Sequence, residues 1–124
     1  MKKSLKPLHW VGSSLDDLRA LPEEIQDGFG YALYRAQEGV RDQRAKPLHG
    51  FGGASVLEIV ESHDGNTYRA VYTVKFALAV YVLHVFQKKS KKGIATPLAD
   101  MNLIKGRLKT AADDYAKEYG RKKP

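Results

Sequence analysis

The side chains best suited to chemistry in this sequence are four cations, Lys46, Arg69, Lys88 and Lys89. Arg69 lies in a predicted strand, where a charge is costly unless it faces a groove, and its planar guanidinium matches phosphate oxygens. Lys88 and Lys89 directly follow an apolar strand, so one of them is expected on the concave face as a phosphate ligand or a general acid. Lys46 could contact a second phosphate or act as a base. All four could instead be solvated surface cations.

Other side chains could transfer protons or hold nucleobases. Glu58 is a carboxylate among apolar neighbours, and it could act as a base or form a salt bridge to Arg69 across a hairpin. His84 lies in an apolar strand and could shuttle a proton, although a single His in such a run is more often a hydrogen-bonded core residue. His49, in a glycine-rich loop, is a weaker candidate of the same kind. Tyr72 could stack on an RNA base or be a core aromatic residue.

The positive charge is concentrated in the second half of the chain. Of the formal net charge of +7, residues 1–62 carry −1 and residues 63–124 carry +8. The segment FQKKSKKG contains Lys88, Lys89, Lys91 and Lys92, and such a cluster attracts a phosphate-rich partner. Residues 121–123 are also basic, but we expect them to belong to a frayed tail that begins at about residue 118.

Length and composition exclude several classes of protein. A chain of 124 residues with 43% hydrophobic residues can bury one modest core, so we expect a single domain over residues 1–124. The absence of Cys excludes disulfide frameworks, Cys-based zinc sites and thiol nucleophiles. The longest apolar run, residues 76–86, is shorter than the ~20 residues that a membrane-spanning helix needs. A metal site remains possible only through His and carboxylate side chains. We expect a soluble, cytoplasmic protein without a membrane partner, and we predict no cofactor and no bound metal.

Hydrophobic periodicity predicts an α+β domain with helices packed against an antiparallel sheet. The predicted elements are a strand at 8–11, helices from 14 and from 22 to about 39, strands at 56–61, 68–74 and 76–86, and a helix that begins at 96–97. The first two helices are expected to form a hairpin or one kinked helix, residues 41–55 a loop, and residues 63–66 a β-turn. Alternation within the strand at 68–74 places Tyr72 on one face and Arg69 on the other.

The segments that carry the candidate residues resemble a known family. They are KPLHGFGGASVLEIV, YRAVYTV and AVYVLHVFQKKSKKGIATP. Their ordered motifs, K-x-L-x-G, E-I in a strand, Y-R-x-x-Y, and L-H-x-F-x-K-K before T-P, resemble the HigB-like, phage-derived branch of the RelE/ParE toxin superfamily. The resemblance covers about residues 8–108. One position departs from it, because Val60 stands after Glu58-Ile59 where relatives often have Arg.

This resemblance implies a small RelE-like domain that acts as the toxin of a type II toxin–antitoxin pair. Many members of the superfamily cut messenger RNA on the ribosome, and a partner antitoxin neutralises them by binding. In HigB-like pairs the antitoxin usually carries a helix-turn-helix module. The ParE branch instead poisons DNA gyrase without cleaving RNA. A non-catalytic, phage-type nucleic-acid-binding protein is a further alternative, for which the basic second half would suffice.

Metal-free RNA cleavage requires a base for the 2′-hydroxyl proton, cations for the phosphate charge and an acid for the departing 5′-oxygen. The predicted catalytic residues are therefore Arg69, Lys88, Lys46, Glu58 and His84, and the identity of the base stays open among the last three. The predicted RNA contacts are Lys89, Lys91, Lys92, Tyr72 and His49.

Overall fold

The computed structural model describes residues 4–88 and 96–120. Their helices and strands are, in chain order, β1 (Leu8–Trp10), α1 (Ser14–Arg19), α2 (Glu23–Gln37), β2 (Lys46–Pro47), β3 (Val56–His63), β4 (Asn66–Thr73), β5 (Val80–Lys88) and α3 (Leu98–Tyr119). The predicted order of elements is confirmed. The structure adds β2 inside the segment that was expected to be a loop.

The strands form one sheet in the order β1-β5-β4-β3-β2. Three of the four pairings are antiparallel, as predicted, but β1 runs parallel to β5. The β3–β4 hairpin turns at Asp64-Gly65, where both residues have positive φ, as a two-residue turn requires. The sheet is therefore mostly antiparallel, with its one parallel pair at the N-terminal edge.

Helices cover both faces of the sheet. One core cluster packs α1 and α2 against one face through residues such as Phe29, Leu33 and Ile59. A second cluster packs α3 against the opposite face through Ile104 and Ala111. This arrangement explains the continuous apolar sequence of the central strand β5, which is buried on both sides.

The strand predicted at residues 76–86 begins later than expected. Residues 76–79 lie outside β5, and Ala77 and Leu78 are exposed. Phe76 still packs into the α3 side of the core, where its ring stacks on Tyr115. The backbone N–H of Leu78 donates to the Tyr115 hydroxyl at 3.2 Å. The apolar run therefore begins before the first residue of the hydrogen-bonded strand, because Phe76 packs against α3.

Candidate functional site

Four ionisable side chains meet on the face of the sheet that α3 covers. The register aligns Glu58 of β3 with His84 of β5 through one residue of β4, and it aligns Arg69 of β4 with Phe86 of β5. Facing residues of neighbouring antiparallel strands share a face, and so do alternate residues along a strand. Glu58, Arg69, His84 and Lys88 therefore lie together, beside the first turn of α3. We call these four residues the cation–carboxylate cluster.

Arg69 and Glu58 form a buried ion pair at the centre of the cluster. Arg69 Nη1 lies 2.5 Å from Glu58 Oε2, and the two side chains are only 7% and 15% exposed. Either charge buried alone would cost several kcal/mol, so each stabilises the other. The hydroxyl of Thr96, just before α3, also donates to Glu58 Oε2 at 3.4 Å. Of the two roles considered for Glu58 from sequence, the salt bridge to Arg69 is present in the fold.

Lys88 is buried next to this ion pair and is only 5% exposed. Its pKa lies below the ordinary lysine value, first because burial disfavours the charged form and second because the positive charge of Arg69 is near. The negative charges of Glu58 and Asp100 partly offset this effect. A lowered pKa makes an ammonium group a better general acid near neutral pH.

A β-bulge in β5 determines which side chains reach the cluster. Between the paired residues Val71–His84 and Tyr72–Val82, Leu83 is an extra residue. Before the bulge the odd-numbered residues of β5 face α3, and after it the even-numbered ones do. Without the extra residue, His84 would share a face with Val82 and point toward α1 and α2. The bulge therefore brings His84 to the side of Arg69.

Asp100 and Phe86 hold the imidazole of His84 in place. Nε2 lies 2.8 Å from Asp100 Oδ1 in the first turn of α3, and the ring stacks on Phe86 with centroids 4.4 Å apart. When Nε2 carries the proton shared with Asp100, Nδ1 is left as a hydrogen-bond acceptor. Nδ1 has no partner within the described part of the chain.

Arg107 of α3 stabilises the bulge by a hydrogen bond to its backbone. Its Nη1 donates to the Leu83 carbonyl at 3.0 Å, and its Nη2 donates to the Ser13 hydroxyl at 3.2 Å. Gly12 allows this approach, because its φ is +58° and a Cβ there would lie 2.9 Å from the guanidinium. Arg107 thereby connects α3, the bulge and the start of α1, and it orients the stretch of β5 that carries His84.

We expect Gly12→Ala to disturb the bulge without altering any residue of the cluster. The added methyl group would collide with the Arg107 guanidinium, and a left-handed backbone costs an L residue about 1–2 kcal/mol. The free energy of unfolding in urea should fall by at least that amount, and the ring resonances of His84 should shift in NMR spectra.

Gly30→Ala is the matched control for this prediction, because Gly30 lies inside α2 with nothing within 4 Å of its Cβ position. It should gain up to about 1 kcal/mol from the better helix propensity of alanine. Unchanged stability and unchanged His84 resonances in Gly12→Ala would contradict the role given to Arg107.

The remaining predicted residues are not part of the cluster, although Lys46 borders it. Lys46 is exposed on the edge strand β2 and pairs with Glu58, so it lies beside Glu58 on the same face of the sheet, and His49 is exposed in the loop that follows. Tyr72 is fully buried on the opposite face of the sheet, as alternation predicted, among the residues that pack against α1 and α2. A side chain with no exposed area cannot stack on an RNA base, so the stacking role considered for Tyr72 does not fit its position. Lys89, Lys91, Lys92 and the basic residues 121–123 lie outside the described residues.

The structure adds residues to the site that the sequence did not single out. Asp100 is an acidic residue in the first turn of a predicted helix, which ordinarily indicates only a favourable interaction with the helix dipole. Arg107 falls on the inward-facing stripe of α3 between Ile104 and Ala111, where an apolar residue is expected, and this is the signal that could have identified it. Thr96 precedes Pro97, the N-cap residue of α3, and its hydroxyl contacts Glu58 of the cluster.

Residues 4–88 and 96–120 contain neither a metal-binding cluster nor a membrane-spanning helix. No three His, Asp or Glu side chains there come together as ligands for a metal ion. None of the helices in these ranges combines the length and apolar character needed to cross a bilayer.

Comparison with known proteins gives one family and one fold. The profile of the family described as "Phage derived protein Gp49-like (DUF891)" matches residues 16–109. Two similar structures come from E. coli. One is a double mutant of toxin RelE in the free state (TM-score 0.55, 18% identity, 86% of this chain and 97% of that one), and the other is a crystal structure of the isolated RelE toxin (TM-score 0.53, 20% identity, 82% and 97%). A toxin–antitoxin complex from Mycobacterium tuberculosis is less similar (TM-score 0.45, 20% identity, 72% and 98%). No curated protein is significantly similar in sequence. The RelE structures show that the fold is RelE-like.

Proposed function

This chain belongs to the phage-derived Gp49-like family and has the RelE-like fold, and from that premise we propose that it is the toxin of a type II toxin–antitoxin pair. Its activity in this proposal is metal-independent cleavage of messenger RNA on the ribosome, which stops translation. The RelE proteins to which it is similar are toxins by their descriptions. Fold alone does not decide activity, so the argument rests on the site.

The observation that carries the proposal is the burial of Arg69 between a carboxylate and a second cation. A folded protein gains little from a lysine buried beside an arginine, since the two charges repel. The same two cations would be favourable around a phosphate whose negative charge increases during a reaction. The arrangement is therefore suited to phosphoryl chemistry.

In the proposed reaction Glu58 removes the proton from a 2′-hydroxyl of the RNA. The resulting 2′-oxygen attacks the adjacent phosphorus, the bond from phosphorus to the 5′-oxygen breaks, and Lys88 protonates the departing oxygen. The products are a 2′,3′-cyclic phosphate and a 5′-hydroxyl. Arg69 stabilises the charge on the non-bridging oxygens in the transition state.

Glu58 is favoured as the base because of its contact with Arg69. While Glu58 is ionised, it neutralises the guanidinium at 2.5 Å. Once Glu58 takes the 2′-proton, the full positive charge of Arg69 is available to the phosphate at the moment its negative charge increases. His84 is less suited to this step, because its Nε2 is engaged by Asp100. Lys46 is exposed at the sheet edge, where it would bind the RNA backbone.

An apolar surface beside the cluster would hold the nucleobase. Val60 and Phe86 flank Arg69 in the register, with Val60 42% exposed and the Phe86 ring partly exposed. A base stacked on Phe86 would lie against a ring already oriented by His84. This role replaces the one considered for Tyr72. Relatives often have Arg at the position of Val60. This chain has no cation at that position, so Arg69 and Lys88 make the phosphate contacts.

The proposed partner is a cognate antitoxin of the helix-turn-helix type, which neutralises the toxin by binding. The toxin and its messenger RNA substrate would meet on ribosomes in the cytoplasm. A short gene for a helix-turn-helix protein next to the gene of this chain would support this pairing.

Induced expression of this chain in bacteria should stop translation within minutes, with messages cut at positions related to codons. Arg69→Ala and Lys88→Ala should each relieve the arrest, because each removes a cation from the scissile phosphate. Incorporation of labelled amino acids measures translation, and primer extension on abundant messages maps the cuts.

Two other outcomes would contradict the proposal. Growth arrest with intact messages and trapped DNA breaks would indicate gyrase poisoning, as in the ParE branch. Absence of toxicity from the folded protein, together with ordinary nucleic-acid affinity, would indicate a non-catalytic binding protein. Circular dichroism of each purified variant verifies that it has folded.

A further inference from the structure

A second feature of the face that carries the cation–carboxylate cluster is a pocket in the loop between β2 and β3. Its volume is ≈ 400 Å³, within the ~300–1,000 Å³ range of small-molecule sites, and it is open to solvent. Its lining consists of Pro47, Leu48, His49 and three glycines, Gly50, Gly52 and Gly53. The pocket is large enough for one nucleobase.

The loop that forms the pocket is fixed at both ends and in its middle. At its start the backbone N–H of Leu48 donates to the Val56 carbonyl at 2.9 Å. At its end the Thr73 hydroxyl donates to the Ser55 carbonyl at 2.8 Å. Between these points Phe51 packs into the α3 side of the core. The glycine backbone around the pocket is therefore held in one arrangement before a ligand arrives.

Glycine residues keep this pocket open and place it beside α3. Gly52 and Gly53 have nothing within 4 Å of the position that a Cβ would take, and Gly52 has a φ of +71°. Gly50 lies against α3, because its Cβ position is 3.1 Å from Met101 Cε. Met101 follows Asp100, which binds the imidazole of the cluster, so the pocket and the cluster flank the same turn of α3. A flat ligand in the pocket can approach the glycine backbone closely.

The pocket, the cluster and the apolar surface of Val60 and Phe86 follow one another along the strands. Lys46 pairs with Glu58 and lies on the same face of the sheet. Val60 follows Glu58 by two residues in one direction, and the β2–β3 pairing leads in the other direction into the loop that carries His49. His49 is three residues from Lys46, so their Cα atoms are at most about 11 Å apart. An RNA strand with its scissile phosphate at the cluster therefore reaches the apolar surface on one side and the pocket on the other.

We propose that this pocket holds the base of a nucleotide on one side of the scissile phosphate and thereby determines which RNA sequences are cut. This inference rests on the proposed RNA cleavage. The exposed imidazole of His49 stacks on the base, and Lys46 binds the RNA backbone between the pocket and the cluster. Backbone N–H and C=O groups of the glycines bond to the edge of the base, which makes binding depend on its identity.

The test is an NMR titration of the full chain with the trinucleotide of 2′-O-methyladenosine, which cannot be cleaved because it has no free 2′-hydroxyl. Two analogues lack the base of the first or of the third nucleotide. One of them should bind the parent protein at least tenfold more weakly, a loss within the range for one stacked base. The amide shifts of residues 49–53 that the intact trinucleotide causes should disappear with that base.

Gly53→Leu fills the pocket at a position where the backbone accepts a side chain, since Gly53 has no positive φ. It should bind the intact trinucleotide at least tenfold more weakly than the parent and should no longer distinguish it from the abasic analogue. His49→Ala should reduce the same distinction. Gly30→Leu is the matched control, because Gly30 is exposed in α2 with nothing within 4 Å of its Cβ position, and it should bind as the parent does.

Binding and cleavage are measured separately here, so their failures are distinguishable. Base-dependent binding by a chain that cuts no message would support the pocket as an RNA site and contradict the proposed cleavage. The pocket proposal is overturned if the trinucleotide gives no saturable shifts, if both abasic analogues bind as tightly as the intact one, or if Gly53→Leu distinguishes them as the parent does. Circular dichroism verifies the fold of Gly53→Leu, and unchanged discrimination in His49→Ala would contradict the stacking role of that imidazole.

Discussion

Lys88→Met should slow RNA cleavage by about 10²–10⁴-fold, the range that a positioned general acid contributes. The variant loses the group that protonates the departing 5′-oxygen, whereas the apolar part of the side chain is retained. Its stability should not fall at neutral pH, because the lowered pKa of Lys88 means that the folded chain holds this proton less favourably than the unfolded chain does. Single-turnover cleavage of a messenger RNA bound to ribosomes measures the effect.

The pH dependence of the parent should identify the same residue. Cleavage requires protonated Lys88, so the rate should fall as the pH rises through its pKa, and this fall should occur below the ordinary lysine value of ~10.4. Arg69→Gln removes a neighbouring positive charge, so the pKa of Lys88 should rise and the fall should move to higher pH. Asp100→Asn removes a negative charge, so the fall should move to lower pH.

A substrate with a bridging sulfur in place of the 5′-oxygen provides the control for this role. A thiolate departs without protonation, because the pKa of a thiol is only ~8.5. Lys88→Met should therefore cleave that substrate almost as fast as the parent. Lys75→Met, at an exposed lysine after β4, should leave both substrates unaffected. An equal defect of Lys88→Met on both substrates would contradict the assignment of Lys88 as the acid.

Arg69→Gln should lower the cleavage rate by about 10²–10³-fold, the loss typical of removing one group that stabilises a transition-state oxyanion. The single substitution also leaves Glu58 buried without its partner, which is destabilising. The double variant Glu58→Gln/Arg69→Gln removes both charges, so a neutral amide pair replaces the ion pair and the fold should be retained. Its cleavage should be at or below that of the single variant.

Arg44→Gln is the matched control for Arg69→Gln. Arg44 also makes close ion pairs, at 2.7 Å to Glu61 and 2.9 Å to Asp42, and its guanidinium binds the Gly28 carbonyl of α2 on the other side of the sheet. Its loss should lower the free energy of unfolding and leave the single-turnover rate of the folded protein unchanged. Equal activity losses in Arg44→Gln and Arg69→Gln would assign Arg69 a structural role.

Local sequence patterns predicted much of this fold and part of the site. Alternation along β4 separates Arg69 from Tyr72, and the motif Y-R-x-x-Y together with its neighbours indicated the HigB-like, phage-derived branch. The match to the Gp49-like family and the RelE-like fold confirm that resemblance. These features are local, since they depend on a strand period of two and on short ordered motifs.

The features that the sequence did not predict depend on contacts between distant segments. The edge strand β2 is two residues long and exposed, so no periodicity reveals it. Nothing in the segment AVYVLHVFQK indicates that Leu83 is the extra residue of a bulge, because the bulge is stabilised by Arg107, 24 residues later. Asp100 likewise reaches His84 only once α3 has packed on the sheet. The partners of His84 were therefore not visible in its own strand.

The most direct test of the central claim, that the cation–carboxylate cluster cleaves RNA, is the chemistry of the cut ends. Purified parent protein, programmed ribosomes and a defined message, incubated with EDTA, should give fragments with 2′,3′-cyclic phosphate and 5′-hydroxyl ends, detected by mass spectrometry. Glu58→Gln/Arg69→Gln should give no such fragments above background, and Arg44→Gln should give them at the parental rate. An intact message with the parent protein, or equal cleavage by the parent and the double variant, would contradict the claim.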